Sequence, residues 1–368
     1  MKILLINNGK GWSGGQEHLK DLALELRANG VEVHFLVREE TVNVPRFTAL
    51  GFTVHTMPYK YGLNSIKAFF RLVATLRREK FDVVSINREH DLAPTVLAYR
   101  LAFPLKRHGR LMMSYHLPTV HYQPLLNSVD AVLCISEHVQ ATVLKQCPQV
   151  ADKISIVYYG IQIPPAPDES KFTIERPRRY LHDRPFPIIG MVGEFWKNQI
   201  ELVEMLPLLL KEFPALTLAF IGNNSDRTLV EPLEIRAREL GVSDHVIFTG
   251  LVPRDRLNDV FYDLDISVTT HRNEGFGIVH LESLAAGTPV VGYNEGGYVD
   301  LFKDRQIGVM VDGTTHDFAA AVTNLLKEHQ QRFEMGKAGY KLIAEQYSIN
   351  AMGKSYRDFY SHLSGNTP

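Results

Sequence analysis

The sequence predicts an α/β protein in two halves, each a parallel sheet covered by helices. Three observations predict it. The chain's 368 residues exceed what one hydrophobic core usually serves. Short apolar runs alternate with amphipathic stretches along nearly the whole length. A polar, proline-punctuated stretch interrupts that alternation near the middle. Parallel sheets of this kind hold ligands at the carboxyl ends of their strands.

In the first half, residues 2–7 read as a buried strand, 16–28 as an amphipathic helix and 31–37 as a second strand, a βαβ start. Strands at 53–57, 82–86, 110–114, 131–135 and 154–158 follow, with helices over 65–78 and from Ser136, a capping residue type, to Lys145. This half is expected to span residues 1–165. Pro164, Pro165, Pro167, Pro177, Pro185 and Pro187 surround a stretch without clear periodicity, read as a linker over 166–187. The second half, 188–349, shows strands at 188–192, 216–221, 246–249, 266–269, 289–293 and 308–311, with a helical pattern over 200–212. Two such halves are expected to meet across a cleft.

Composition narrows the function. Lys and Arg number 40 against 41 Asp and Glu, a net charge of −1, which argues against a dedicated nucleic-acid binder. Two cysteines, Cys134 and Cys147, are too few for a disulfide framework or a zinc site, and no metal is expected. The opening residues run straight into a strand pattern, with no apolar stretch long enough for a signal peptide or a membrane span. A cytoplasmic location is expected, with any membrane contact peripheral.

The chemistry concentrates after the strand at 266–269. Gly275 and Gly277 let backbone N–H groups approach a ligand before a helix begins near Ile278, and a helix N-terminus favours a diphosphate. Glu274 then lies on the loop and Glu282 about two turns along the helix. One carboxylate can bond sugar hydroxyls and the other both hydroxyls of a ribose. Gly287, Thr288 and Pro289 turn the chain into the next strand. A solvated glutamate pair beside a glycine loop is the bland alternative, and the order of these features is far more restrictive than that.

Glu274, Gly275, Phe276, Gly277, Glu282, Ser283, Ala285, Gly287 and Pro289 resemble the E-G-F-G-x-x-x-x-E signature of family 4 of the GT-B glycosyltransferases. The resemblance covers nearly the whole chain. It implies two facing Rossmann-like domains with an interdomain cleft, and a final helix, about 350–368, that returns to the first domain. It also implies a nucleotide-diphosphate sugar, UDP- or GDP-linked, as donor substrate without a cofactor, and transfer with retention of configuration to a glycan or lipid-linked acceptor. Gly14, Gly15 and Glu17 resemble the family's first loop, near donor and acceptor; His116 matches a histidine placed against the donor sugar; residues 157–161 resemble a hinge segment with Tyr159 replacing the usual Asn. Gly193 and Lys197 match the donor-diphosphate loop, but Glu194 stands where the family carries arginine. Arg272 could supply that missing charge. Donor contacts are therefore expected from Gly14, Gly15, Gly193, Arg272, Gly275, Phe276, Gly277, Ile278 and Glu282, acceptor contact from Glu17, and catalysis from His116, Glu274 and Lys197.

Two other readings stay open. Gly9, Gly11 and Gly14 form a G-x-G-x-x-G after a strand, which suits an NADP-dependent oxidoreductase. Glu194 suits a catalytically inactive sugar-nucleotide binding protein. Separately, residues 60–110 hold eleven Lys or Arg against four acids, interleaved with Phe69, Phe70, Leu72, Val73 and Leu76. Such a face fits an anionic membrane surface, or simply a solvated helix.

Overall fold

The computed structural model describes every residue except Ser13, residues 59–62, Tyr122, Glu175 and residues 366–368, and gives no side chains at 63–65. Lys60, counted in the basic excess, and the tip of the expected final helix lie outside the described residues. The chain divides into two compact units, 1–160 with 349–368, and 161–348.

The first unit holds seven strands: β1 (Lys2–Asn7), β2 (Glu32–Arg38), β3 (Thr53–Met57), β4 (Val83–Ile86), β5 (Arg110–Tyr115), β6 (Ala131–Cys134) and β7 (Ile154–Ile156). They pair in the order β3-β2-β1-β4-β5-β6-β7, every pair parallel. The second unit holds β8 (Ile188–Val192), β9 (Thr217–Ile221), β10 (Val246–Phe248), β11 (Ile266–Thr269), β12 (Val290–Tyr293) and β13 (Gly308–Val311), also all parallel, in the order β10-β9-β8-β11-β12-β13. Each unit is a Rossmann-like α/β domain. In each, chain order reverses beside the first strand, between β1 and β4 and between β8 and β11. Connections leave that point in opposite directions, which opens a crevice at the strand carboxyl ends.

The strands are continuous apolar runs because helices cover both faces. Ile3, Leu5, Phe35 and Val83 are buried in the first core, and Ile189, Leu218, Phe220 and Val291 in the second. Ser136 caps the helix Glu137–Gln146 by accepting the Val139 N–H at 3.2 Å. The last helix, Ile349–Ser364, packs on the helix Gly14–Ala28, and its Met352, Tyr356 and Tyr360 are buried in the first unit's core.

The stretch read as a linker is not one: residues 161–187 belong to the second unit. Lys171 and Arg176 are buried there. The Lys171 ammonium donates to the carbonyls of Tyr262 and Leu264, both at 2.8 Å, and Arg176 pairs with Asp265 at 3.0 Å while donating to Asp263 O at 2.9 Å. Asp263 in return accepts the N–H groups of Arg179, Tyr180 and Leu181. The polar composition that resembles a linker thus serves to satisfy the backbone entering β11.

Removing one partner of a buried ion pair strands the other charge. Arg176→Ala is expected to destabilise the second unit by about 3–5 kcal/mol. The measurement is guanidinium unfolding followed by Trp196 fluorescence in a Trp12→Phe background; a midpoint unchanged from the parent would contradict the clamp.

Candidate functional site

The second unit's switch point carries the predicted donor residues of that unit, Gly193, Arg272, Gly275, Phe276, Gly277, Ile278 and Glu282. Two loops build it, one after β8 and one after β11. In the first, Gly193 has φ +147° and its N–H donates to Ile221 O at 2.9 Å, which turns the chain abruptly out of the sheet. A Cβ at 193 would lie 3.5 Å from the Lys197 stem, an ordinary contact, so it is the backbone angle that favours glycine here. Asn198, at φ +63°, offers its carbonyl to the Thr270 hydroxyl at 2.7 Å, clasping this loop to the one after β11.

Lys197 Nζ consequently lies 2.5 Å from Glu274 Oε2, and the other Glu274 oxygen accepts the Gly275 N–H at 3.1 Å. Both side chains are mostly buried. Burial pushes the Glu274 carboxyl up, but the charge and hydrogen bond of Lys197 outweigh it, so Glu274 titrates below its ordinary value and is ionised near neutrality. Gly296, at φ +90°, closes the loop from the other side: a Cβ there would meet the Arg272 carbonyl at 3.0 Å and Glu274 N at 3.1 Å. Gly297 donates to the Glu274 carbonyl at 2.8 Å.

Gly277 has φ +77° and a Cβ on it would meet the His280 ring at 2.5 Å, so only glycine fits. The helix Ile278–Ala285 starts immediately after it. Glu282 is therefore four residues, about one turn, into the helix rather than the two turns expected: the helix starts at Ile278 as expected, and half of the eight-residue spacing from Glu274 is spent on the loop. Its carboxylate pairs with Arg254. Phe276 is buried, its ring 6.2 Å from that of Tyr347.

Arg272, expected to supply the charge of the missing arginine, is held by two neighbours of its own unit. Its guanidinium lies 3.4 Å from the centre of the Tyr293 ring and 2.5 Å from Glu295 Oε1. Glu194 is exposed to solvent, and its carbonyl accepts from Gln199 at 2.6 Å. The position thus contributes backbone to the loop and leaves its charge in water.

Gly14, Gly15, Glu17 and His116 lie in the first unit. Gly14 opens the first helix, and nothing lies within 4 Å of a Cβ built on it or on Gly15. Glu17 accepts from Trp12 Nε1 at 2.6 Å and pairs with Lys20. His116, partly buried, has both ring nitrogens engaged: Nδ1 lies 2.6 Å from the Tyr159 hydroxyl and Nε2 3.1 Å from Asn87 Oδ1. Asn87 Nδ2 donates to Ser85 O, so its oxygen can only accept, which puts the proton on Nε2 and makes Nδ1 the acceptor from Tyr159. Burial lowers the His116 pKa to about 4. Tyr159, in the segment read as a hinge, also holds His116, and its ring lies 4.0 Å from that of buried His18, tilted by 39°.

Sequence reasoning also missed His280, Arg254 and Glu295. His280 carried a signal, since a residue three places after a positive-φ glycine at a helix start packs back on it. Arg254 carried none: it is remote in sequence from the carboxylate it pairs with.

Residues 12–163 match the family described as Glycosyltransferase Family 4, and residues 173–342 that described as Glycosyl transferases group 1. The chain belongs to the group 1, family 4 glycosyltransferases. One relative is the GDP-mannose-dependent alpha-(1-6)-phosphatidylinositol monomannoside mannosyltransferase of Mycolicibacterium smegmatis, 33% identical over 196 residues that cover 51% of this chain and 50% of that one. The chain thus spans about half the length of that relative. The putative glycosyltransferase YtcC of Bacillus subtilis is 23% identical over 308 residues, 78% of this chain and 74% of that one. Among solved structures, a glycosyltransferase from Rickettsia africae superposes with a TM-score of 0.84 at 16% identity, over 100% of this chain and 99% of that one. Anabaena Alr3699/HepE, solved with UDP and glucose, gives 0.80 at 18% identity over 98% and 100%. These likenesses establish the GT-B fold. In the G-x-G-x-x-G segment the Gly9 amide donates to Asn7 Oδ1 at 3.0 Å.

His280 is buried, and burial lowers its pKa to about 4, with Glu274 opposing. The unfolded chain binds this proton near pH 6.5, so between those values the unfolded state holds more protons and stability falls as pH falls. The melting temperature is expected to drop from pH 6.5 toward pH 4, and His280→Asn to flatten that slope. Equal slopes in differential scanning fluorimetry would refute the assignment.

Proposed function

We propose that this group 1 glycosyltransferase moves a hexose-type sugar, with retention, from a UDP- or GDP-linked donor to a glycan or lipid-linked acceptor in polysaccharide, lipopolysaccharide or glycolipid assembly. The observation that carries the reading is the meeting of Lys197 and Glu274 in front of the helix Ile278–Ala285, at the second sheet's switch point. Relatives named for GDP-mannose and a structural neighbour holding UDP support a nucleotide sugar as donor.

In this reading Lys197 exchanges Glu274 for the donor diphosphate. Its ammonium and the N–H groups opening the helix stabilise the charge that grows on the leaving diphosphate, the electrostatic role a metal plays elsewhere. Glu274, released, bonds sugar hydroxyls and orients the anomeric carbon. Glu282 exchanges Arg254 for the ribose hydroxyls. Retention proceeds from the leaving-group face, with a donor phosphate oxygen taking the acceptor's proton. His116, neutral near pH 7, supports the sugar by exchanging one of its two internal hydrogen bonds.

Glu274→Gln separates binding from chemistry. Removing the carboxylate frees Lys197, so UDP or GDP is expected to bind at least as tightly as in the parent, while nucleotide release from the productive donor falls on the order of 100-fold. Unchanged turnover across a panel of UDP- and GDP-sugars would mean that the site is not catalytic; no turnover by the parent on any of them would favour a binding protein.

A membrane surface enters through a second observation. The helices Leu63–Glu79 and Glu89–Ala102 pack side by side and expose Ile66, Phe70, Leu97 and Leu101, with Leu105 just beyond, among exposed Lys67, Arg71, Arg100, Lys106 and Arg107. Apolar side chains ringed by cations suit an anionic bilayer surface. No described helix is long and apolar enough to cross a membrane. Co-sedimentation with phosphatidylglycerol vesicles at low salt is expected, and weakened several-fold by Phe70→Asp; parent protein that stays in the supernatant would remove this surface from the reading.

A further inference from the structure

His116 is the predicted catalytic residue of the first unit, and its ring is held on both sides by residues that no sequence motif assigned to it. Asn87, the residue after β4, places Oδ1 3.1 Å from Nε2, and Tyr159, three residues beyond β7, places its hydroxyl 2.6 Å from Nδ1. Tyr159 stands where the resembled family carries asparagine, so this second bond is made by the chain's own substitution.

Each partner is itself anchored. Asn87 is buried, its backbone N–H donates to Ile6 O at 3.0 Å, and its Nδ2 faces the carbonyls of Ser85 at 3.1 Å and Ile6 at 3.3 Å. Turning the amide over would set its oxygen against two carbonyls, so Oδ1 stays toward His116. Tyr159 is buried as well, its ring 4.0 Å from that of His18. His18 is buried in turn, with Nε2 3.3 Å from the hydroxyl of Tyr356 on the last helix. The helix that returns to the first unit thus backs Tyr159, and Tyr159 backs His116.

We infer that Asn87 and Tyr159 are positioning residues for His116: Asn87 Oδ1 keeps the proton on Nε2, and the Tyr159 hydroxyl, donating to Nδ1, fixes the orientation of the ring. Which nitrogen of an imidazole carries the proton is decided by the hydrogen bonds its neighbours make, and a group that must meet one atom of a ligand works in one tautomer and one orientation. Burial lowers the His116 pKa to about 4, so near neutrality the ring offers one N–H and one acceptor, and the tautomer decides which side is which. The inference deepens the proposed transferase reading, and rests on it only for calling His116 a group that meets the donor sugar.

The test uses full-length protein carrying isotope-labelled histidine. Long-range proton–nitrogen correlation NMR reads which ring nitrogen bears the proton, and His116→Gln identifies the His116 signals. In the parent, His116 is expected as a single tautomer protonated on Nε2. Tyr159→Phe keeps the ring against His18 and removes only the hydroxyl. It is expected to move the Nδ1 signal toward that of an unbonded acceptor, and to lower kcat for nucleotide release from the productive donor about tenfold with little change in KM. Asn87→Leu is expected to replace the single tautomer by a mixture. A parent protonated on Nδ1, an Nδ1 signal indifferent to Tyr159→Phe, a single tautomer retained in Asn87→Leu, or a kcat unchanged in both variants overturns the inference. The ring signals need no substrate. A parent that turns over no donor would therefore sink the transferase reading alone, and the signals would still decide whether Asn87 and Tyr159 hold His116.

Discussion

Almost everything functional in this chain depends on where strand order reverses in its two parallel sheets. A strand's neighbours in a parallel sheet are reached by crossovers that cover the faces, so side chains on the faces are committed to the core. Only the carboxyl edge is left, and there the loops after most strands crowd one another. The reversal between β8 and β11 removes that crowding at one place. It is why Lys197, just after β8, and Glu274, just after β11, can meet although 77 residues separate them. The glycines follow from the same constraint. Gly193, Gly277 and Gly296 take backbone angles that side chains resist, because two loops and a helix start must fit within one strand spacing.

The charges of the second unit's site are paired before any ligand arrives. Lys197 is with Glu274, Glu282 with Arg254, and Arg272 with Glu295. Pairing with Lys197 keeps the mostly buried Glu274 ionised, and it holds each side chain in one place. In the proposed reading a ligand bearing both an anion and hydroxyl groups enters by exchange: its anion replaces one carboxylate, and the freed carboxylate accepts from hydroxyls. A ligand with only one of these features would leave a charge behind unpaired, so the pairing itself discriminates. The departure at Glu194 is less disruptive than its charge implies, since the side chain is in solvent, where repulsion at a distance is screened.

The sheets were legible because buried parallel strands are written as short apolar runs: β1, β3, β8, β11 and β13 are found where such runs stand, at 2–7, 53–57, 188–192, 266–269 and 308–311. The helix start at Ile278 was legible from the glycines before it. Pairings across the fold were not. Neither the bond from Tyr159 to His116 nor the pull of Tyr293 and Glu295 on Arg272 leaves a local trace, because each depends on which loops the topology brings together. The stretch 166–187 misled for a more specific reason. Its lysine and arginines are there to satisfy the carbonyls of residues 262–264, and a segment that serves by hydrogen bonding has the composition of one that serves as a spacer.

The two switch points share a topology and differ in electrostatics. In the second unit's site Lys197, Arg254 and Arg272 each have a carboxylate; in the first, Lys10 and Arg88 line a cavity without an ion pair among the described residues, and the one carboxylate present is turned to holding Asn8. A balanced site gives up an internal ion pair to bind, so it favours ligands that replace both halves of that pair. An unbalanced cationic site gives up only water, and binds anions more readily and less selectively unless something else in it discriminates. Within one repeated architecture the two crevices have therefore diverged in charge, the second balanced by internal ion pairs and the first lined by Lys10, Arg38 and Arg88 beside a single buried carboxylate.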